Sequence, residues 1–380
     1  MVVYLVLFSV FLLIVRLSGL LKSLGLKSFS SILLMLGAVI LCAFAGIRDI
    51  GVGTDTVAYA ESLYVLANNT NNIILYLNSA MSGQFNMEPL FALAVYYPAK
   101  VGSTHFAYYF FIELMIVAPI IYLVRHVTNG RHECLVLFFY LMIFFPLSLS
   151  TMRQSVAMSF VLLSYMFVIK GNKIPALLFQ IVAFGFHKTS IIGLIPLIVV
   201  FLLIKRDSHI NFRKSAKIIT VVIISAACAS FVFSRQLISF IGGMLGGYEY
   251  TYNNTWEAET GIAYYLLYGC ILVCIFFIGY RLKILRKPGF LIAYIVAIFA
   301  LPLHSLGLIS SPLLRLGTYA LLYSVFALGY ALNQSEKNQI KYLDIIFLAL
   351  LLFVQFWWFY DLNGANEVIP YSSLILGIEK

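Results

Sequence analysis

Long apolar segments alternate with short polar ones along the whole chain. A membrane-spanning helix needs about 20 apolar residues, and twelve segments approach or reach that length. They cover residues 2–15, 30–46, 105–124, 133–149, 154–169, 174–186, 190–204, 216–233, 262–280, 290–303, 316–332 and 343–359. This pattern predicts an all-α polytopic membrane protein, in which about twelve transmembrane helices form one bundle and residues 1–380 form a single transmembrane domain.

Three further segments break the regular alternation. The apolar segment 88–101 contains Pro98 and is short for a full crossing, which favours an interfacial or re-entrant helix. The segments 47–87 and 235–261 are long and polar, with many Asn, Ser and Gly residues. We expect them to be two longer extracytoplasmic loops that lie over a site in the membrane.

Composition supports a membrane protein and gives it an orientation. The chain has 380 residues, of which 62% are hydrophobic and 11% charged, whereas a soluble domain has about 25% charged residues. The net charge of +10 comes from Lys and Arg at the ends of apolar segments, which indicates membrane topology rather than nucleic-acid binding. By the positive-inside rule, the connections 16–29, 125–132, 170–173, 205–217, 281–287 and 333–341 are cytoplasmic.

The remaining polar residues form short motifs at the predicted outer ends of helices. Each one alone is better explained as an interfacial anchor whose charged end reaches water. Six on one face favour a functional site, because charges at membrane depth are costly. They are Arg48-Asp49 with Gly53-Thr54-Asp55 and Tyr59, Glu88-Pro89, Arg153-Gln154, Phe186-His187-Lys188-Thr189, Arg315 with Tyr319, and Pro370-Tyr371.

These motifs, in this order, resemble the EpsG family of Wzy-type polysaccharide polymerases over nearly the whole chain. The resemblance implies a bundle related to the C-type glycosyltransferases and an enzyme at the outer face of the bacterial inner membrane. Such an enzyme joins oligosaccharide repeat units, with undecaprenyl-diphosphate-linked donor and acceptor, into O-antigen, capsule or exopolysaccharide and releases undecaprenyl diphosphate. The lipid bilayer, a chain-length regulator and a flippase are the other expected partners.

A reaction that releases a diphosphate requires cationic partners for it. Guanidinium groups remain charged and present a planar fork to phosphate oxygens. The candidates are Arg48, Arg153 and Arg315, and Lys188 could add a point charge.

Glycosyl transfer also needs a base that removes the proton of the acceptor hydroxyl. The candidates are Asp55, His187 and Glu88, in that order. Asp55 follows a Gly-Val-Gly-Thr turn, and the cation of Lys188 disfavours protonation of the neighbouring His187. Glu88 precedes Pro89, so capping of a helix N-terminus is an equally good explanation for it.

Neither a metal nor another cofactor is expected. Asp49 and Asp55 are six positions apart without further ligands nearby, and the five cysteines have neither zinc-site nor disulfide spacing. The sugar is expected to contact the aromatic cluster Tyr248, Tyr250, Tyr252 and Trp256, although an interfacial aromatic belt explains that cluster as well. Glu113 stands alone in an apolar segment, with either an Arg partner or a polar cavity around it.

Two other functions fit the hydropathy profile. A lipid-linked oligosaccharide flippase would place charges within the spans, whereas this chain places them at the outer ends. An O-antigen ligase would concentrate its motifs in one large late loop, and segment 235–261 is modest in length. The polymerase is therefore preferred.

Overall fold

The computed structural model describes residues 1–82, 85–102, 104–195, 197–198, 262–285, 287–305, 311–334 and 342–379. They belong to two compact units. Unit 1 comprises Met1–Met166, Ile174–Ser190 and Leu352–Lys380, and unit 2 comprises Phe167–Lys173 and Ile191–Leu351. Each unit is described by itself.

The described part of the chain is almost entirely helical. The helices up to residue 186 are α1 (Val2–Ser23), α2 (Lys27–Gly46), α3 (Glu61–Asn69), α4 (Ile73–Met81), α5 (Pro89–Val101), α6 (Phe106–Thr128), α7 (Glu133–Ser150), α8 (Met152–Ile169) and α9 (Lys173–Phe186). Those that follow are α10 (Ile262–Arg281), α11 (Pro288–Ile298), α12 (Ala300–Ser305), α13 (Ser311–Asn333) and α14 (Tyr342–Phe356).

Helices α1 and α2 form an antiparallel hairpin, and the turn that connects them lies at the basic end of unit 1. Gly25 has φ +83° in the turn that connects them, a conformation that glycine adopts without steric cost. Beyond the turn, Ser18 and Ser30 are hydrogen-bonded to each other, and the Arg125 guanidinium donates to both hydroxyls and to Glu133. Four helices are thus joined at the end that carries the predicted cytoplasmic charges.

Helices α7 and α8 lie in the centre of unit 1 and are separated by one residue. In the most apolar stretches of α7 and α8, 83% and 78% of the residues are buried, against 33% in α1. Thr151 interrupts the helix with φ −103° and ψ 60°. A break of this kind releases backbone N–H and C=O groups from the helical ladder, and these groups become binding points for another segment.

Segment 47–87 is more ordered than the predicted loop. It contains a π-helical turn at Thr56–Ala60 and the helices α3 and α4. Asn72 begins α4 as an N-cap whose side chain accepts from Ile74 N–H and Leu75 N–H, a common function of Asn at helix starts. The helix α5, which follows, matches the predicted short helix at 88–101 in length and position.

An aromatic cluster connects the first helices to the C-terminal segment. Tyr371 stacks on Phe44 with ring centroids 4.0 Å apart, and its hydroxyl donates to the Phe44 carbonyl at 2.7 Å. Tyr4 packs edge-on against both rings and donates to the Val368 carbonyl at 2.8 Å. The Pro-Tyr motif is therefore part of the packed core of unit 1.

Unit 2 contains α10 to α13 and is also held by close helix packing. A Cβ atom on Gly317 would lie 2.2 Å from the His304 ring, so α13 can approach α12 only through a glycine. Arg281 at the end of α10 forms an ion pair with Asp344.

Seven helices within the described residues are long and apolar enough to span a membrane. They are Val2–Ser23, Lys27–Gly46, Phe106–Thr128, Glu133–Ser150, Met152–Ile169, Arg315–Asn333 and Tyr342–Leu362, and three shorter apolar helices accompany them. The protein is thus an all-α, multi-pass membrane protein, as predicted. The predicted span 216–233 and residues 199–204 of the predicted span 190–204 lie outside the described residues, so the count of twelve stays a prediction.

Candidate active site

The Gly-Thr-Asp loop is fixed against the break between α7 and α8. Gly53 has φ +92°, and a Cβ atom there would lie 2.3 Å from the Leu149 carbonyl oxygen. The neighbouring Thr54 bonds to the Ser150 hydroxyl through its own hydroxyl at 2.7 Å and its N–H at 3.3 Å. Only glycine permits this approach, because both the positive φ and the close carbonyl exclude a side chain.

Asp55 closes the contact between this loop and α8. Its Oδ2 accepts a hydrogen bond from Met152 N–H at 3.1 Å and another from the Tyr59 hydroxyl. The first bond caps the N-terminus of α8, where a carboxylate also interacts favourably with the helix dipole. Asp55 is buried, so the carboxylate has a clear structural function in addition to the chemical one considered above.

Arg48 lies behind the same loop and is 5% exposed. Its guanidinium donates to the Ala45 carbonyl at 2.6 Å and, through the other terminal nitrogen, to the Leu149 carbonyl at 3.4 Å. It also lies 4.1 Å from the centre of the Tyr109 ring, as in a cation–π contact. Arg48 therefore connects the end of α2 to α6 and to the α7–α8 break.

Glu88 is the most heavily engaged of the predicted site residues. Its Oε2 accepts from Arg153 at 3.0 Å, and its Oε1 is 2.9 Å from His187 Nδ1 and accepts from Lys188 N–H at 3.1 Å. The carboxylate is 1% exposed. A single buried carboxylate thus joins the starts of α5 and α8 to the end of α9.

A close contact between α5 and α9 brings His187 to Glu88. A Cβ atom on Gly185 would lie 2.6 Å from the Leu90 side chain. The absence of a side chain at Gly185 lets the last turn of α9 pack directly on the first turn of α5. Glu88, which precedes α5, and His187, which follows α9, then meet.

The environment of Glu88 determines its protonation. Burial alone raises its pKa, but the hydrogen bond from His187, the charges of Arg153 and His187 and the Lys188 N–H outweigh burial and lower the pKa to about 2. Glu88 is therefore ionised at physiological pH and is a poor proton acceptor. It is suited instead to orienting the imidazole, since a carboxylate on one ring nitrogen fixes the tautomer and leaves proton transfer to Nε2.

Arg153 connects the two buried carboxylates. Its guanidinium pairs with Glu88 and lies 4.6 Å from the centre of the Tyr59 ring, whose hydroxyl donates to Asp55. We call Asp55, Tyr59, Glu88, Arg153 and His187 the carboxylate network. The network contains a cation, an oriented imidazole and two carboxylates at adjacent helix ends, which is what general-base and electrostatic catalysis require.

The structure brings most of the predicted site residues together within unit 1. Asp55, Glu88, Arg153 and His187 belong to the carboxylate network, and Lys188 reaches it through its backbone N–H. Arg48 lies next to the network through a 3.3 Å contact with Met152 Sδ. Arg315 and Tyr319 belong to α13 of unit 2, where Arg315 is exposed and Tyr319 buried. The predicted sugar-binding residues Tyr248, Tyr250, Tyr252 and Trp256 lie outside the described residues.

Two features of the site were not predicted from the sequence. Tyr59 was assigned no function, although its spacing of four from Asp55 would place both on one helical face. The Glu113 carboxylate accepts a hydrogen bond from the Ser148 hydroxyl of α7 at 2.8 Å, a partner that the sequence did not indicate. No spacing rule links two residues so far apart in the sequence.

The described residues contain no group of three or more His, Cys, Asp or Glu side chains that could hold a metal ion. The oxygens of Glu88 and the Oδ2 of Asp55 are used by protein donors. The network therefore offers a ligand a guanidinium cation and an imidazole, and its carboxylate oxygens are already used within the protein.

Comparison with known proteins identifies the family. Neither the curated proteins nor the solved structures contain a match, so the likeness to the C-type glycosyltransferases stays a prediction. The sequence profile described as the EpsG family matches residues 31–373, which includes every residue of the carboxylate network and most of the chain. The protein belongs to the EpsG family.

Proposed function

We propose that this protein is a polysaccharide polymerase, a membrane-embedded glycosyltransferase that joins undecaprenyl-diphosphate-linked oligosaccharide repeat units at the outer face of the bacterial inner membrane. Membership of the EpsG family supports a polymerase-like role. The observation that carries the proposal is the engagement of one buried carboxylate, Glu88, with both Arg153 and His187.

The reaction has two requirements that this arrangement meets. The acceptor hydroxyl attacks the anomeric carbon of the donor sugar and loses its proton to His187 Nε2, while Glu88 holds the ring through Nδ1. As the new glycosidic C–O bond forms, the bond from the anomeric carbon to the diphosphate breaks. Arg153 neutralises the charge that develops on the leaving diphosphate, which departs as undecaprenyl diphosphate.

The other predicted residues have supporting functions in this proposal. Asp55 is a positioning residue, because it caps α8 and so holds the start of the helix that carries Arg153. Lys188 and Arg315 provide further cationic charge for diphosphate oxygens. The aromatic residues Tyr248, Tyr250, Tyr252 and Trp256 remain the proposed sugar platform.

Deletion of the gene separates the polymerase from its alternatives. A strain without the polymerase should retain surface molecules with a single repeat unit and lose the ladder of longer chains on a gel. Loss of all repeat units at the surface would instead indicate a flippase. A normal ladder on the lipid carrier that is never transferred would indicate a ligase.

The purified protein tests metal-independent chemistry. We expect polymerisation of lipid-linked repeat units to continue in EDTA, because Arg153 and its neighbours supply the charge that a divalent cation supplies elsewhere. Activity that EDTA removes and magnesium or manganese restores would contradict this assignment and make the carboxylates candidate ligands.

A further inference from the structure

An open groove lies beside the carboxylate network at one end of the helices of unit 1. It has a volume of about 510 Å³, within the usual range for small-molecule sites. Its lining includes Arg48, Asp49, Ile50, Thr104, Leu374 and Ile375. We refer to it as the Arg48 groove.

The groove lies at the edge of the apolar layer. Gly46 is the last residue of one candidate span and Phe106 the first of another, and the two are in such close contact that a Cβ on Gly46 would lie 2.8 Å from the Phe106 ring. A groove at the ends of two adjacent spans lies where lipid tails meet their head groups.

Its walls are largely aliphatic and held in place. Leu374 and Ile375 are 83% and 70% exposed. They lie on a tight turn that is hydrogen-bonded to Ile47 and Asp49. Leu374 N–H donates to Asp49 Oδ1 at 2.9 Å, and Ser373 Oγ donates to the Ile47 carbonyl at 2.6 Å. Exposed apolar side chains on a fixed turn at this depth are suited to an apolar chain rather than to water.

Arg48, which lines the groove, has an unused donor. The terminal nitrogens of Arg48 are engaged by carbonyls and by Met152 Sδ, but its buried Nε has no hydrogen-bond partner within the described residues. An ionised phosphate oxygen forms a short, strong hydrogen bond with such an N–H. The nearby Asp49 carboxylate disfavours a free inorganic anion, so an apolar chain must contribute to binding.

We infer that the Arg48 groove binds the lipid end of an isoprenoid diphosphate, with a phosphate oxygen at Arg48 Nε and the first isoprene units along Ile50, Leu374 and Ile375. The inference rests on the proposed function, because it places one of the two lipid-linked substrates. Met152 separates the groove from the network, since its Sδ contacts Arg48 and its N–H donates to Asp55. A head group at Arg48 would therefore be linked to the network through Met152, the neighbour of Arg153 in the sequence.

The test uses the full-length purified protein and farnesyl diphosphate with a diazirine at the end of its chain. Photolabelling should map to the peptide that contains Leu374 and Ile375. Ile375→Asp should reduce labelling about tenfold or more, because a carboxylate in an apolar wall is costly to desolvate. Leu376→Asp is the matched control, since Leu376 is exposed on the same turn but does not line the groove.

Competitors distinguish the possible ligands. Unlabelled farnesyl diphosphate should displace the probe, while farnesol and inorganic diphosphate at equal concentration should displace little of it. Competition by phosphatidylglycerol equal to that by farnesyl diphosphate would show a general phospholipid site and overturn the inference. Equal loss of labelling in Leu376→Asp, or labelling elsewhere, would do the same.

The surface polysaccharide separates this inference from the proposed function. Ile375→Asp should shorten or abolish the polymer, and Leu376→Asp should not. Lost labelling with an unchanged polymer would overturn the groove as a substrate site and leave the polymerase in place. The converse result is also possible: the probe labels the groove specifically, but deletion of the gene leaves the polymer unaffected. That result would overturn the proposed function and retain the groove as a binding site.

Discussion

Glu88 is the residue on which the candidate site depends most. Two of its three partners are side chains that the proposed reaction uses, and the third is the backbone N–H at the start of the 3₁₀ turn Lys188–Gly193. Removal of such a carboxylate breaks the ion pair with the half-buried Arg153, and breaking a fully buried ion pair typically costs about 3–5 kcal/mol. Its structural and chemical functions must therefore be tested by separate measurements.

The pKa of Glu88 predicts how stability depends on pH. Its pKa falls from 4.5 to about 2 on folding, so the unfolded chain binds the proton more tightly than the folded one. The stabilisation is complete above pH 4.5 and is lost as the pH falls towards 2. Thermal unfolding in detergent should show this loss for the natural protein, whereas Glu88→Gln should remove the part due to Glu88. An identical pH profile for both would contradict the pairing.

Replacement of His187 should remove activity and leave the fold intact. His187→Ala should reduce polymerisation on the order of 100-fold to 10,000-fold, the usual effect of removing a general base, while the purified variant stays monodisperse. His126→Ala is the control, because this exposed histidine lies in the last turn of α6, whereas Arg48 contacts the first turn of that helix. Equal activity of the two variants would exclude His187 as the base.

At the scale of elements, the contact between the Gly-Thr-Asp loop and the α7–α8 break organises the site. In Gly53→Ala, the alanine must adopt the left-handed conformation of Gly53, which costs about 1–2 kcal/mol. Its Cβ atom also collides with the Leu149 carbonyl, which costs about a further 1–3 kcal/mol. Gly171→Ala has a similar φ of +81° and no atom within 4 Å, so it shows the first cost alone.

Denaturation of both glycine variants in detergent, with polymer assays, measures the difference. Gly53→Ala should unfold more readily than Gly171→Ala and should also lose polymer, because Asp55 can no longer cap α8. Similar stability and activity for the two variants would show that the loop tolerates displacement from the break.

Sequence reasoning found the helices and the motifs, but not how the motifs act. The apolar segments 30–46, 105–124 and 133–149 correspond closely to α2, α6 and α7, because burial and lipid exposure both require apolar residues. Asp55 was preferred over Glu88 and His187 as the base, a choice that depends on partners about 100 residues apart, such as Glu88 and His187. No local pattern encodes such distances, and the pKa of Glu88 follows from them.

The whole molecule has a predicted orientation that can be tested directly. The proposed reaction requires the Arg48 groove and the carboxylate network to face outward and the Arg125 end of the same helices to face the cytoplasm. In a background without the native cysteines, Thr104→Cys and Leu374→Cys should react with an impermeant maleimide in intact cells. Arg131→Cys should react only after permeabilisation, and the reverse result would exclude an outer-face site.

The attachment of the C-terminal segment to the Arg48–Gly53 loop has a consequence for biogenesis. Asp49 is bonded to Leu374, a separation of 325 residues, and Gly53 N–H donates to the Glu367 carbonyl. The first two helices therefore enter the bilayer long before the residues that secure the loop after α2 leave the ribosome. Contacts with so large a separation form late, so the nascent protein lacks this support for the Gly-Thr-Asp loop until translation is nearly complete. Ribosome-bound chains that stop before Glu367 should consequently be inserted but inactive.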